Sequence, residues 1–426
     1  MKVSSAVIFV VLVFSSSGSL IWGQEIVPPR PPAQLNDLLA EAERNNPQIQ
    51  AARHEADAFK QVSMQVSTRP DPQFVLQHLS VGSPRPFAGY TNSDFAYIGI
   101  GFSQDIPYPG KLHLRGEIAK KDGEGAEQRY ESVRRSVLAA LKQSYFQLGY
   151  LAQKSRLLDA DRELLRQVEQ SAEARYRSGA VNQQDVLQAQ LEQTKLLREI
   201  TTNQLEKDKV QALIKQLLDR SQSSPDIESA ELSETALPYT YEQLFASASA
   251  GNPELAELQI NLEKQQLQVD LAKKDFYPDF NLQYMYQRTD PSQFRAYYML
   301  TFSARVPIYR KHRQEPELAQ AEADQNRSKS DYEAKSQQLA LDLRQQFVSA
   351  EKAAELLQIY RQGLIPQARA ELQAGMAAYQ STREDFQALL ASFLDVLKLD
   401  EEYAQTLADH ESAIAEMERI SGVSLP

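Results

Sequence analysis

Phe280-Asn281-Leu282-Gln283-Tyr284-Met285-Tyr286-Gln287 is the stretch whose reading decides the fold. Phe280, Leu282, Tyr284 and Tyr286 alternate with Asn281, Gln283 and Gln287, the period of two expected of a strand with unlike faces. The return run continues it, with Phe294, Ala296, Tyr298, Leu300 and Phe302 against Arg295, Thr301, Ser303 and Arg305. Together they predict a hairpin of two long strands over residues 278–306. A weaker copy, with Phe74 and Leu76 and then Ala96, Ile98, Ile100 and Phe102, predicts a second hairpin over 72–106.

The resemblance between the two hairpins extends along the chain. Asn46-Pro47 returns as Asn252-Pro253, and Phe102-Ser103-Gln104-Asp105-Ile106-Pro107 as Phe302-Ser303-Ala304-Arg305-Val306-Pro307. Tyr176-Arg177-Ser178-Gly179 returns as Tyr379-Gln380-Ser381-Thr382. Four landmarks in one order, counting Pro72/Pro278, predict a tandem duplication. The first unit covers 24–220, a linker rich in Ser, Pro and acids covers 221–240, and the second unit covers 241–422. In each unit Asn46 or Asn252 caps a helix of roughly twenty residues, with proline at the first helical position. After each hairpin the period becomes helical, predicting helical hairpins over 111–220 and 311–420. A single helix from Lys111 to Ser178 would reach about 100 Å. Leu151, Leu158, Leu165 and Ala172 recur every seven residues, a coiled-coil seam. In the second unit Pro366 predicts a local break.

Composition bounds the function. The 426 residues carry a formal charge of −11, which argues against nucleic acid as a partner. With no cysteine there is no disulfide, thiolate metal site or cysteine nucleophile, and no residue to carry an amino-terminal lipid. Lys2 followed by the apolar run Ala6–Phe14 and small residues predicts a secretory signal peptide over 1–23. The histidines His54, His78, His113, His312 and His410 are scattered without metal-ligand spacing, so no catalytic, cofactor or metal site is expected. Gly99 and Gly101 read as strand packing and Gly110 as a turn. Lys111, Arg115, Arg310, Lys311 and Arg313 follow the two hairpins as basic clusters, either a ring around a tunnel mouth or ordinary charges at a headgroup boundary.

Aromatic-faced hairpins in an exported chain that is otherwise coiled coil lack a soluble core to pack on. Of the two readings, a soluble β-subdomain packed on a core and a membrane barrel wall, the second is favoured, with Phe280, Leu282, Tyr284 and Tyr286 toward lipid and Asn281, Gln283 and Gln287 toward a lumen. Four strands cannot close a barrel, and an open edge in lipid would strand backbone donors and acceptors, so several copies must share it.

The duplicated order of Asn-Pro-led helix, hairpin, Phe-Ser-x-x-Ile/Val-Pro exit, long helix and Tyr-led turn resembles the TolC family of outer-membrane efflux proteins across residues 35–422. The resemblance implies a mainly α homotrimer, with a twelve-stranded barrel in the outer membrane continuous with a periplasmic α-helical tunnel. It also implies the exit duct of a tripartite efflux or type I secretion system, docked to a periplasmic adaptor and an inner-membrane transporter. A periplasmic coiled-coil adaptor without a pore is the alternative. Substrate, whether heavy-metal cation, drug or protein, is left open. By the family's pattern the turns at Tyr176–Gly179 and after Tyr379 lie at a constricted periplasmic tip. There Asp185 is the expected acidic partner of Tyr379 and Arg383; Arg383 stands one position before the family's usual arginine, and Ala388 and Ala391 replace its acids. Read from the residues alone, Asp185 equally suits the N-terminus of its own helix.

Overall fold

The computed structural model describes residues 33–425 apart from 83, 89–95, 180, 290–295 and 381–385. The expected signal peptide lies outside the described residues, as do Phe294 and Arg295 of the return strand and Arg383 of the tip. Among the described residues no helix is long and apolar enough to cross a membrane.

Helices α1 (Leu35–Asn45) and α2 (Pro47–Ser67) lead into strands β1 (Gln73–Leu79) and β2 (Tyr97–Ile106). Helices α3 (Lys111–Arg177) and α4 (Gln183–Leu217) complete the first unit. The second repeats the plan: α5 (Tyr241–Gly251), α6 (Pro253–Lys274), β3 (Asp279–Arg288), β4 (Tyr297–Arg305), α7 (Gln314–Ile359), α8 (Ile365–Gln380) and α9 (Phe386–Ser421).

The Asn-Pro landmarks do more than start helices. The Asn46 side chain accepts from the amides of Gln48 and Ile49, and its Nδ2 donates 2.9 Å to the Leu217 carbonyl. Asn252 accepts from Glu254 and Leu255 and donates 3.0 Å to the Ile420 carbonyl. Each asparagine thus satisfies free donors at one helix N-terminus and a free acceptor in the last turn of the helix that closes its unit. The 221–240 segment is pinned where the units meet. Ala33 bridges to Ser229, Gln211 brackets Ile227 through both backbone groups, and Tyr145 Oη joins the Ala33 carbonyl to the Ala230 amide.

The two upper cores are related by one shift. Val137, Leu141, Tyr145 and Leu148 in the first correspond to Leu339, Leu343, Phe347 and Ala350 in the second, each 202 residues later. At the tip the shift from Tyr176 to Tyr379 is 203. Between these points the second helix carries a five-residue π turn, Tyr360–Leu364, directly before Pro366. A π turn is a one-residue insertion, so it accounts for the change and relieves the proline's clash with the preceding turn.

Candidate functional site: the sheet faces, the junction and the helical tip

The four strands form one antiparallel sheet in the order β1-β2-β3-β4, with β2 and β3 joining the units. Register places Phe74, Leu76, Ile98, Ile100, Phe102, Phe280, Leu282, Tyr284, Tyr286, Tyr298, Leu300 and Phe302 on one face. Phe102 stacks on Tyr284, Phe280 on Phe302 and Tyr284 on Tyr298, with ring centroids 5.5–6.2 Å apart. Phe74, Phe102, Leu300 and Phe302 are exposed, an apolar surface that water alone would not favour.

The other face is polar. Asn281 donates to Ser103 and Asp105, and Asn281 and Gln283 are half-buried. Gln287, expected to face water, is instead only 4% exposed. It lies opposite Gly99, whose missing side chain leaves a hollow that the Gln287 stem fills. The Met285 sulfur also closes on Gly99, whereas at Gly101 the neighbouring backbone itself leaves no room: a Cβ there would stand 2.1 Å from the Tyr284 carbonyl oxygen. Both β1 and β4 are edge strands, and β4 is exposed at every position.

Below the sheet, the expectation that Lys111 joins a solvated basic cluster does not hold. Its residue is 2% exposed and its Nζ sits 3.0 Å from carboxylate oxygens of both Asp275 and Asp279. Two carboxylates compensate the loss of hydration that would otherwise make such burial prohibitive. Asp279 also accepts the Tyr108 amide at 2.8 Å, and Tyr108 stacks on Tyr277 with centroids 4.6 Å apart. Gly110, at φ 93°, makes the left-handed entry to α3. The carboxylates stand more than 160 residues away from Lys111 in sequence, so no local spacing announced them. Arg115, His113, Arg310, Lys311, His312 and Arg313 are exposed.

At the far end, one core draws on both units, including Leu165, Ala172, Ala189, Leu372, Phe386 and Phe393. Tyr379 is 2% exposed within it. Arg175 of α3 donates through Nη1 to the Tyr379 carbonyl at 2.7 Å and lays its guanidinium 4.2 Å from the centre of the Tyr379 ring. Burial holds the Tyr379 phenol above its ordinary pKa; the Asp185 charge adds to this, while Arg175 opposes it. Asp185 lies in the first turn of α4, where an acid meets the positive end of the helix. Gly179 adopts φ 76° with open space around it, and Tyr176 is exposed. The sequence reading missed Arg175, although it adjoins the Tyr176 landmark. Higher up, Asp161 on α3 faces Asp400 on α9, and burial followed by that charge lifts the Asp161 carboxyl to about 7. Arg369 on α8 holds Asp400 at 2.9 and 3.0 Å.

A family model described as outer membrane efflux protein matches residues 38–218 and 244–415. The chain belongs to that family. The gap between the two matched stretches contains the pinned 221–240 segment. Efflux proteins of this family are outer-membrane channels of tripartite pumps, and the alternative of an adaptor without a pore finds no support. Solved structures share the fold at low identity. The outer-membrane channel OprN aligns with TM-score 0.79 at 19% identity, over 92% of this chain and 90% of that one. VceC from Vibrio cholerae aligns at 0.78 and 17%, over 93% and 97%. The Campylobacter jejuni CmeC channel aligns at 0.78 and 14%, over 95% and 90%. No match is found among curated protein sequences.

Proposed function

We propose that three copies of the chain close their sheets into a twelve-stranded outer-membrane barrel above a periplasmic helical tunnel. This homotrimer is the exit duct that receives substrate from a periplasmic adaptor and an inner-membrane transporter. The observation that carries the reading is a sheet with an aromatic face, a polar face and two free edges. A free edge in lipid leaves backbone groups without partners, and pairing β4 of one copy with β1 of the next removes every edge. Strands of 9–10 residues in β2, β3 and β4 suit a tilted bilayer crossing. Phe280, Leu282, Tyr284 and Tyr286 then face lipid, and Asn281, Gln283 and Gln287 the lumen side. The leader over residues 1–23 delivers the chain to the periplasm. Tyr176, Gly179, Asp185, Tyr379 and Arg383 form the periplasmic constriction, with Arg175 bracing Tyr379 from behind.

Single cysteines test the wall, because the native chain has none. Cysteines at positions 281 and 283 react with a membrane-impermeant thiol reagent entering the pore, and cysteines at 282 and 284 stay protected by lipid. Equal labelling of both sets, or a detergent-extracted protein that runs as a monomer, overturns the reading.

A further inference from the structure

Within one chain, α3 and α6 are joined by a ladder of ion pairs. Lys121 meets Glu263 at 2.8 Å, Lys264 meets Asp122 at 3.0 Å and Arg129 meets Glu257 at 2.7 Å. Buried Lys111, held by Asp275 and Asp279, ends the ladder under the sheet. The duplication supplies the counterpart. If copies close the ring as proposed above, a reading on which this inference rests, α7 of one copy meets α2 of the next as α3 meets α6.

The shift of 202 that relates the cores carries Lys121, Asp122 and Arg129 to Ala323, Asp324 and Asp331. The shift of 206 from Asn46 to Asn252 carries Glu257, Glu263 and Lys264 back to Ala51, Asp57 and Ala58. No ion pair of the ladder has a counterpart in which both charges survive. Asp275 and Asp279 become Arg69 and Gln73, while the place of Lys111 falls on Arg313, or on Lys311 by the strand-exit shift from Phe102 to Phe302. By either shift the partner is basic.

The seam between copies therefore brings Arg69 against the Arg310–Arg313 segment where the chain's interior has lysine against two carboxylates. Arg313 meets Glu317 at 3.3 Å, whereas no ion pair among the described residues reaches Arg69, Arg310 or Lys311. Asp71, which takes the place of Tyr277, offsets one of those charges and leaves an excess. Directly above lie Val306, Ile308 and Tyr309, 56%, 73% and 71% exposed. This is where the apolar face of the sheet ends, the level at which a barrel meets headgroups. Converging cations beneath exposed apolar side chains match a phosphate that carries acyl chains.

We propose that each seam between copies binds an anionic phospholipid of the periplasmic leaflet, its phosphate between Arg69 of one copy and Arg310 and Lys311 of the next. The lipid supplies the charge that Asp275 and Asp279 supply within the chain, and it completes the barrel–tunnel junction.

The test uses the delipidated, detergent-solubilised full-length protein and native mass spectrometry. Phosphatidylglycerol binds in preference to phosphatidylcholine, up to one per seam, and inorganic phosphate at the same concentration does not displace it. Arg69→Asp, which rebuilds the interior pairing, weakens phosphatidylglycerol binding about 30-fold (about 2 kcal/mol for two units of charge) while the trimer persists. Lys311→Gln weakens it less and keeps the assembly. Equal binding of the two lipids, unchanged binding by Arg69→Asp, or displacement by phosphate alone overturns the lipid site. Loss of the trimer in the unaltered protein overturns the three-copy reading instead. If Arg69→Asp disrupts assembly, Lys311→Gln decides, and unchanged lipid preference in it refutes the site.

Discussion

Replacing Arg175 by Met tests whether the tip is latched from within each chain. The substitution keeps most of the aliphatic stem and removes two contacts, a charged hydrogen bond of 2.7 Å to the Tyr379 carbonyl and a guanidinium 4.2 Å from the Tyr379 ring. A charge-assisted bond contributes about 1.5–3 kcal/mol and a partly desolvated cation–π contact about 0.5–2 kcal/mol. Water reaches the freed carbonyl at the tip and offsets part of the sum, leaving about 2 kcal/mol per copy. At about 1.4 kcal/mol per factor of ten, that shifts a latched/unlatched equilibrium about 30-fold toward release. Single-channel recording in planar bilayers should show larger or longer openings for Arg175→Met. Arg175→Lys, which keeps charge but loses the planar fork, should fall between it and the unaltered protein. Closed-state conductance like that of the unaltered protein, together with a lowered melting temperature, would refute the reasoning. Arg175 would then hold the hairpins together without controlling passage.

Four further outcomes are expected. Asp161→Asn should be neutral for stability below pH 3.8 and increasingly stabilising toward about 7, because a carboxyl whose folded pKa is raised makes the folded state less stable as it ionises; melting temperatures at pH 4 and 8 check this. Asn252→Ala should cost about 2–3 kcal/mol through the lost cap and the buried bond to Ile420, while Asn252→Ser keeps the cap and costs about 1 kcal/mol, read from denaturation midpoints. Tyr284→Asp should block assembly into membranes by setting a charge against lipid, read as loss of trimer from the outer-membrane fraction. Ala58→Lys should raise the trimer's dissociation temperature by giving the Asp324 carboxylate the partner that Lys264 gives Asp122; an unchanged temperature would mean that α2 and α7 do not meet as α6 and α3 do.

The sheet was legible from residues 280–287 because alternation is a local property, and apolar faces of this kind need no long-range information. The helices were legible for the same reason, through the Leu151–Ala172 heptads and the Asn-Pro starts. What stayed hidden depends on pairings between distant residues. Lys111 looked like one more exposed cation, since its two carboxylates come from the other unit. Gln287 shares the parity of Asn281 and Gln283, but its burial was not legible, because the hollow it fills is made by Gly99 on the neighbouring strand. Arg175 sat beside a landmark without signalling, because its acceptor is a backbone carbonyl and carries no sequence signature.

Duplication explains why the two halves of one wall are chemically unequal. Two units that began alike occupy different neighbourhoods: α3 packs between α2 and α6, whereas α7 packs on α6 and, on the three-copy reading proposed above, would meet α2 of the next copy. Charges on the interior seam form pairs as the single chain folds, so Lys121, Lys264 and Arg129 have fixed partners from the start. A full set of opposite charges on the outward seam would seek wrong partners in the free chain; alanine at positions 51, 58 and 323 thins that set, and Asp57, Asp324 and Asp331, which remain, carry one sign and cannot pair with one another. The same division appears along the long helices. α3 runs unbroken from the sheet to the tip, whereas its counterpart carries the π turn at Tyr360–Leu364 ahead of Pro366, nearer the tip than the sheet. A π turn lies closer to rearrangement than regular α-helix does, since register slips back by one residue when it closes. Arg175 reaches from the unbroken helix to Tyr379 beyond the interruption, so the contact at the tip ties the regular hairpin to the irregular one.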